Sequence, residues 1–301
     1  MSHKIYQELN KNEFEVLEET THPNITRIFE LMEDDHNYYI VMEVVTGGNL
    51  LEKITKMRQF TEQTAAKIIK QLLLALNLMH SKNIMHRDLK PENILVEENA
   101  DSTDESIRIK LTDFGFATKY DPNKKINLSL GSPLYMAPEL CQEKAYGPNV
   151  DAWAVGVITY ILMTGKPPFY DRTNRGKQGI YDDIIKNEAD FSLTQFQSCS
   201  AEALDFIKKA LVKKAINRVE ISQLLNHPWI KNMATEEVDN SMQLDMSNNL
   251  AIFAKTTSFQ SGICSILANM LSHANDLTDL NKMFVQWDTS QDGYLSYDEL
   301  N

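Results

Sequence analysis

The fold of this sequence is decided by the stretch HRDLKPEN, which spans His86–Asn93. The triplet DFG begins twenty residues after Asn93, at Asp113–Gly115, and the triplet APE follows at Ala137–Glu139. Any one of these short motifs can occur by chance, so their order along the chain carries more weight than each motif alone. The carboxylates and the amide within them offer the oxygen ligands that hard cations prefer.

Composition places the chain among ordinary soluble globular proteins. Its 301 residues are 43% hydrophobic and 24% charged, which is enough for a real core. Cys141, Cys199 and Cys264 are far apart and odd in number, so they predict no disulfide framework or zinc site and fit a reducing cytosol. The net charge of −12 argues against nucleic acid as a partner and fits cations or basic peptides.

No membrane span is expected. The longest apolar stretch, Ala152–Met163, is too short to cross a bilayer and predicts a helix that is buried on all sides. The N-terminus has neither a signal pattern nor the Met-Gly start of a myristoylation site. We expect a cytoplasmic monomer, with membrane association through a missing N-terminus left open.

Periodicity predicts a mixed α+β fold. Asn37–Val45 is rich in β-branched and aromatic residues and favours a strand. Apolar residues recur at helical spacing over 61–80, which predicts a long helix facing the core. Residues 4–19 and most of 139–230 are also typical of helices, and the polar stretch Met233–Asn249 is typical of a linker.

The three motifs resemble the catalytic core of the protein kinases, and the resemblance extends from about Glu13 to Ile230. It implies an α+β protein kinase-like fold with an incomplete N-lobe and a mostly helical C-lobe, followed by the start of an EF-hand domain. The expected parts are a partial N-lobe over 1–44, the C-lobe over 45–230, a junction over 231–276 and an incomplete EF-hand over 277–301.

The resemblance assigns catalytic roles within the motifs. Asp88 matches the residue that accepts the proton of the substrate hydroxyl, and Lys90 matches the lysine beside the γ-phosphate. Asn93 and Asp113 match the two residues that hold Mg²⁺. A lysine at the position of Lys90 is the form seen in serine/threonine kinases, so protein Ser and Thr hydroxyls are the expected substrates.

The resemblance also implies an ATP site. Glu13 matches the helix C glutamate that pairs with the nucleotide-binding lysine, and Met42 matches the gatekeeper. The backbones of Glu43 and Val45 match the hinge that bonds adenine. Leu95 matches the floor beneath the adenine ring.

Other positions match residues that shape the site or select the substrate. Glu92, grouped with the nucleotide-site residues, is expected to favour basic residues upstream of the phosphorylated position. Ser132 matches the residue that contacts the catalytic loop. Leu128 stands where other kinases often carry a phosphorylated threonine, so activation by loop phosphorylation is not expected.

Four further residues match architectural positions. His86 and Phe114 are expected to align the catalytic loop with the metal site. Asp151 is expected to bind the backbone of the catalytic loop. Glu139 is expected to pair with Arg218.

The stretch DTSQDGYLSYDE, at 288–299, has the ligand spacing of an EF-hand loop, with Gly293 at the sharp turn. Leu280 and Phe284 precede the loop on one face of a predicted helix. The loop therefore predicts a Ca²⁺ site. Its expected ligands are Asp288, Ser290, Asp292, Tyr294 and Glu299.

Kinase core, junction and EF-hand in this order resemble the calcium-dependent protein kinases. The resemblance implies a calcium-regulated serine/threonine kinase that transfers the γ-phosphoryl group of MgATP. In that family the junction inhibits the kinase, and here two interpretations of the junction stay open, an inhibitory segment and a helix that merely packs. The sequence contains no glycine-rich G-x-G-x-x-G loop, and only twelve residues precede Glu13. Two interpretations stay open, a truncated sequence of an active kinase and a calcium-binding pseudokinase or scaffold. Intact catalytic motifs favour truncation.

Overall fold

The part of the chain that the computed structural model describes is residues 16, 19–34, 37–57, 60–97, 107–121, 124, 126, 128 and 130–234. All of them belong to a unit that ends at Thr235. Val16 and Glu19, at the end of the helix predicted for 4–19, are helical. Glu13, the part of the junction from 235 onward and the EF-hand loop lie outside the described residues.

The described strands form three two-stranded antiparallel sheets. The pairs are β1 (Ile28–Glu33) with β2 (Tyr38–Met42), β3 (Ile84–Met85) with β6 (Thr118–Lys119), and β4 (Ile94–Val96) with β5 (Ile109–Leu111).

The strand predicted for Asn37–Val45 is shorter than expected, because its pairing with β1 stops at Met42. Beyond this point Val44 has 86% of its surface exposed, so its β-branched side chain gains nothing from a neighbouring strand. The chain instead continues as an irregular segment toward the first long helices.

The described helices follow mainly in the second half, as predicted for 139–230, and are separated by short 3₁₀ turns. They are α1 (Leu50–Met57), α2 (Glu62–Ser81), α3 (Pro138–Cys141), α4 (Asn149–Thr164), α5 (Lys177–Lys186), α6 (Ala201–Ala210), α7 (Ile221–Leu225) and α8 (Pro228–Met233).

Helix α2 confirms the long helix predicted for 61–80. Thr61 lies just outside it as the N-cap, and its side chain accepts a hydrogen bond from the Thr64 amide at 3.1 Å. Its core-facing side is fully buried and packs against α4, α7 and α8. The buried side chains of this face include Ile68, Ile69, Leu72, Leu73 and Leu76.

Helix α4 confirms the prediction of a helix buried on all sides, since every residue from Val150 to Thr164 is buried. Gly156 allows a close approach to α6, because a Cβ added there would lie 2.7 Å from the Ala210 Cβ. Among the described residues, no helix is long and apolar enough to cross a membrane. This helix is instead the centre of the helical core.

The site is positioned where the small sheets meet this core. Strand β3 leads into the HRDLKPEN segment and β4 leaves it, so both ends of the segment are fixed. Strand β5 leads into the DFG triplet two residues later. The fold thus brings the first two motifs to one place.

Candidate active site

The Asp88 carboxylate is held from two directions and is only 3% exposed. Its Oδ1 accepts hydrogen bonds from the backbone N–H and the hydroxyl of Ser132, each at 2.9 Å. Its Oδ2 accepts from Lys90 Nζ at 2.7 Å, and this ammonium also donates to Ser132 Oγ at 3.3 Å. The structure therefore brings Asp88, Lys90 and Ser132 together in one hydrogen-bonded cluster.

Asn93 is oriented by the catalytic loop itself. Its amide nitrogen donates to the Asp88 carbonyl at 3.0 Å, which leaves its amide oxygen as a lone-pair donor. The Asn93 carbonyl accepts from the Thr112 amide at 2.9 Å and so fixes the residue before Asp113. The two predicted metal ligands thus lie on segments that are bonded to each other.

This donor set fits Mg²⁺. The exposed Asp113 carboxylate accepts a long hydrogen bond from the Gly115 amide at 3.4 Å, and its backbone has a positive φ of 60°. Within the described ranges, no group of three or more His, Cys, Asp or Glu side chains could hold a metal. A site with one carboxylate and one amide oxygen suits Mg²⁺, which usually takes its other ligands from phosphates and water.

Asp151 anchors the catalytic loop, as predicted. Its Oδ2 accepts from the His86 amide at 3.0 Å and lies 2.8 Å from His80 Nε2, and its Oδ1 accepts from the Arg87 amide at 3.0 Å. Burial raises the pKa of Asp151, but the hydrogen bond and charge of His80 and the other donors hold that pKa below its usual value. An ionised carboxylate therefore stabilises Arg87 at its unusual φ of 70°.

His86 confirms its predicted alignment role. Its ring packs against Phe114 with centroids 5.1 Å apart, and its Nε2 lies 3.3 Å from the Thr112 carbonyl. Burial lowers the pKa of His86, so the ring is neutral, with Nε2–H facing Thr112 and Nδ1 accepting from the Asp88 amide at 3.3 Å. One imidazole thus links the catalytic loop to the DFG segment.

The APE segment is fixed by the predicted ion pair. Arg218 donates from Nη1 and Nη2 to the two carboxylate oxygens of Glu139, at 2.7 and 2.9 Å. The side chains are 0% and 9% exposed, and Arg218 also donates to the Asn149 carbonyl at 2.9 Å. The pair therefore joins the APE segment to α4 and to the turn before α7.

Comparison with known proteins agrees with this geometry. The model of the protein kinase domain matches residues 2–230. The chain belongs to the protein kinase family. The family predicted from the three motifs is confirmed by this match, which ends before the predicted EF-hand.

Several relatives of this chain are named as calcium-dependent kinases. It is 36% identical over 295 residues to calcium-dependent protein kinase 4 of Plasmodium falciparum, covering 96% of the chain and 54% of that relative. It is 37% identical over 243 residues to calcium/calmodulin-dependent protein kinase type 1 of Macrobrachium nipponense, covering 80% and 68%. It is 33% identical to calcium-dependent protein kinase 24 of Arabidopsis thaliana, covering 93% and 46%. The chain spans about half the length of most of these relatives.

On the nucleotide side of the kinase, Met42 ends β2 with 37% of its surface exposed, and Val45 is half-buried. The Glu43 amide donates to the Arg27 carbonyl at 2.9 Å. Leu95 is half-buried in β4. Their roles as hinge and floor of an adenine site stay predictions.

Glu92 is exposed in the 3₁₀ turn Pro91–Asn93, next to the catalytic loop. Burial and the nearby Glu92 charge raise the pKa of Tyr135. The carboxylate therefore lies close to the segment between Ser132 and APE, where a protein substrate is expected. Basic side chains of such a substrate would find a negative charge here.

Sequence reasoning missed Tyr146. Its hydroxyl donates to the Leu128 carbonyl at 2.7 Å and accepts from Arg87 Nη1 at 3.1 Å, while Arg87 Nε donates to the Phe116 carbonyl at 2.6 Å. The Leu128 side chain is 59% exposed. A neutral hydroxyl thus links the activation segment to Arg87, where a phosphate was considered and not expected.

Gly131 allows this segment to pass close to the catalytic loop. Its φ is 119°, and a Cβ built there would lie 2.9 Å from the Arg87 carbonyl oxygen. Any side chain would therefore clash with the loop backbone as well as strain its own. This glycine permits Ser132 to reach Asp88.

Proposed function

We propose that this chain is the catalytic part of a calcium-regulated serine/threonine protein kinase. It transfers the γ-phosphoryl group of MgATP to Ser and Thr hydroxyls of proteins. The observation that carries the proposal is the buried Asp88 carboxylate, held between Ser132 and Lys90 and next to the Asn93 amide. This cluster places a base, a cation and an oxygen ligand around one point, as phosphoryl transfer requires.

In the proposed reaction, MgATP supplies the phosphoryl group. Asp88 orients the substrate hydroxyl and accepts its proton. Lys90 balances the negative charge that develops on the transferred group, and its contact with Asp88 keeps it close to the reacting atoms. Asn93 and Asp113 would hold the metal through their side-chain oxygens.

Two features support Ser and Thr as the acceptors. Lys90 lies within the DLKPEN form of the motif that the serine/threonine kinases share. Ser132 bonds both Asp88 and Lys90, so the segment that receives the substrate is fixed directly against the base. Glu92 would favour acceptor peptides with basic residues upstream.

ATP is proposed to bind along the segment after β2. The Glu43 and Val45 backbones would bond adenine, Met42 would close the back of the pocket and Leu95 would support the ring. Glu13 is proposed to take part in positioning the phosphates. The proposal is supported by the match to the protein kinase domain.

Calcium is proposed as the regulating signal. Asp288, Ser290, Asp292, Tyr294 and Glu299 would bind it, in an EF-hand over 277–301 that acts through the junction over 231–276. The spacing of these residues supports the proposal, as do the names of calcium-dependent relatives. We propose a monomer that acts in the cytosol.

Transfer of radiolabelled phosphate from MgATP to Ser- and Thr-containing peptides tests the function. We expect transfer by the full-length gene product, more in Ca²⁺ than in chelator, and loss of transfer in Asp88→Asn. For the 301-residue chain on its own we expect weak or no transfer, because its sequence contains no glycine-rich loop to cover the phosphates. Glu299→Gln should remove only the response to Ca²⁺ because it lies in the EF-hand. No transfer above the Asp88→Asn background by the folded full-length gene product would reject the kinase and favour the pseudokinase.

A further inference from the structure

We propose that Lys110 is a positioning residue of the nucleotide site. It holds the hinge segment around Glu43 against β5, so that the Glu43 backbone lies where adenine is bound. The inference rests on the proposed function and adds a residue that belongs to none of the three motifs.

The Lys110 ammonium has three oxygen partners. Nζ lies 3.1 Å from Glu43 Oε1, 3.1 Å from the Pro23 carbonyl oxygen and 3.5 Å from Glu97 Oε1. The side chain is 13% exposed, so these contacts are largely shielded from solvent. The contact with Pro23 is a hydrogen bond, and the contacts with Glu43 and Glu97 are ion pairs.

Glu43 is held on its other side by Arg27. The same Oε1 accepts a hydrogen bond from the Arg27 amide at 2.6 Å, and the Glu43 amide donates to the Arg27 carbonyl at 2.9 Å. The Glu43 side chain is 16% exposed. The backbone of this residue therefore has little freedom to shift while Lys110 is in place.

Strand β5 carries this restraint toward the metal ligand. Lys110 pairs directly with Leu95, so both side chains lie on one face of the β4–β5 sheet, and Leu95 is the proposed adenine floor. The next residue, Leu111, bonds the backbones of Asn24 and Thr26 at 2.8 and 2.9 Å. An ion pair, strand pairing and backbone hydrogen bonds thus connect the hinge, the floor and β5 into one ring of contacts.

The positive charge of Lys110 also balances two negative charges. Two carboxylates, those of Glu43 and Glu97, lie within 3.5 Å of one ammonium. Without the ammonium, the Glu43 carboxylate, which is 16% exposed, would lose its cation and would face the like charge of the more exposed Glu97 carboxylate. Because the Glu43 side chain would move, the hinge backbone would move with it.

The test measures nucleotide affinity separately from peptide affinity. For Lys110→Met in the full chain, we expect the Kd of a fluorescent ATP analogue and the KM for ATP to rise about tenfold or more. The KM for the acceptor peptide should change by less than about twofold, since the peptide does not contact this ring. Lys110→Arg keeps the charge and should recover most of the affinity.

Two further variants complete the comparison. Lys56→Met removes one exposed lysine of α1, thirty residues before His86, and should leave all constants unchanged. Glu43→Gln should weaken nucleotide binding, and the double variant Lys110→Met with Glu43→Gln should lose less than the sum of the two single losses. If Lys110→Met does not fold, the single variant Glu43→Gln still tests whether the ion pair supports nucleotide binding.

Equal nucleotide affinity in wild type, Lys110→Met and Glu43→Gln would overturn the proposal. So would a loss that Lys110→Arg fails to recover, or an equal loss in ATP and peptide affinity. Wild-type protein that binds the nucleotide but transfers no phosphate would reject the proposed reaction alone. The comparison of dissociation constants would then still decide the role of Lys110.

Discussion

Lys90 Nζ lies 2.7 Å from the Asp88 carboxylate and 3.3 Å from Ser132 Oγ. Its side chain is 20% exposed, whereas that of Asp88 is 2% exposed. The ammonium therefore closes one side of a nearly buried base and faces the opening through which a substrate must arrive. A cation in this place acts on charge that develops during transfer as well as on the resting carboxylate.

Lys90→Met should lower kcat by about 100-fold or more, because removing one preorganised donor from a reaction centre costs at least that much. The KM for ATP should change far less, since the proposed adenine contacts are made elsewhere. Steady-state kinetics with a peptide acceptor measure both constants. The exposed Lys56→Met serves as the control for charge, and a kcat of Lys90→Met within about threefold of wild type would contradict the assignment.

Arg218→Met should destabilise the protein by about 3–5 kcal/mol, because it leaves the Glu139 carboxylate buried without its partner. Chemical denaturation monitored by tryptophan fluorescence measures the change. Arg175→Met is a suitable comparison, since its ion pair with Asp182 lies at the surface and should matter little. Equal stability of Arg218→Met and wild type would contradict the structural role of the pair.

Stability should fall as the pH drops from about 7 to 5 because of His86. Burial lowers the pKa of this histidine in the folded protein below its ordinary value of 6.5, so only the unfolded chain takes up a proton in this range. One proton changes the unfolding free energy by at most about 1.4 kcal/mol per pH unit. Denaturation curves for His86→Phe should show a smaller pH dependence.

His22 and Asp151 also contribute to the pH dependence of stability. Burial and the Lys110 charge also lower the pKa of His22, so His22→Gln should remove a separate part of the same slope. Asp151 has a pKa below 3.8, and its contribution is lost only as the pH falls further. An unchanged slope in His86→Phe would show that this histidine does not carry the pH dependence.

Tyr146→Phe should lower kcat several-fold, because Arg87 loses a neutral partner and the Leu128 carbonyl loses its donor. The cost to stability should be about 1–3 kcal/mol, as for hydrogen bonds that involve a charged group. Adding Leu128→Glu should recover activity, since the Tyr146 hydroxyl contacts both the Leu128 carbonyl and Arg87 Nη1 and a carboxylate at position 128 would offer Arg87 a charged partner. Tyr170→Phe, at an exposed position, is the control, and no recovery by the double variant would contradict the link.

The residues predicted best were those whose partners are encoded by local spacing. Asp88, Lys90 and Asn93 lie within the eight residues of one motif, whereas the architectural roles of Asp151 and Glu139 were implied by the resemblance to the protein kinases. The helices α2 and α4 were predicted because apolar periodicity reports burial directly. In the two helices, the spacing of apolar residues in the sequence follows directly from which side of the helix is buried.

Residues that act through distant contacts could not be predicted. Lys110 lies between buried neighbours in β5, which is the pattern of a solvent-facing strand position. Tyr146 lies among turn residues with no periodicity, and its partners are far away in sequence. The end of β2 was missed for a related reason, since side-chain composition near Val44 does not tell where a neighbouring strand stops.

The first turn of α4 has a consequence for the order in which this molecule assembles. It supplies Asp151, which binds the His86 and Arg87 amides, and Asn149, whose carbonyl binds Arg218. The backbone shape around the base is therefore set by the most deeply packed helix and needs no bound nucleotide. In hydrogen exchange, these two amides should open only with α4 itself, as slow reporters within a loop.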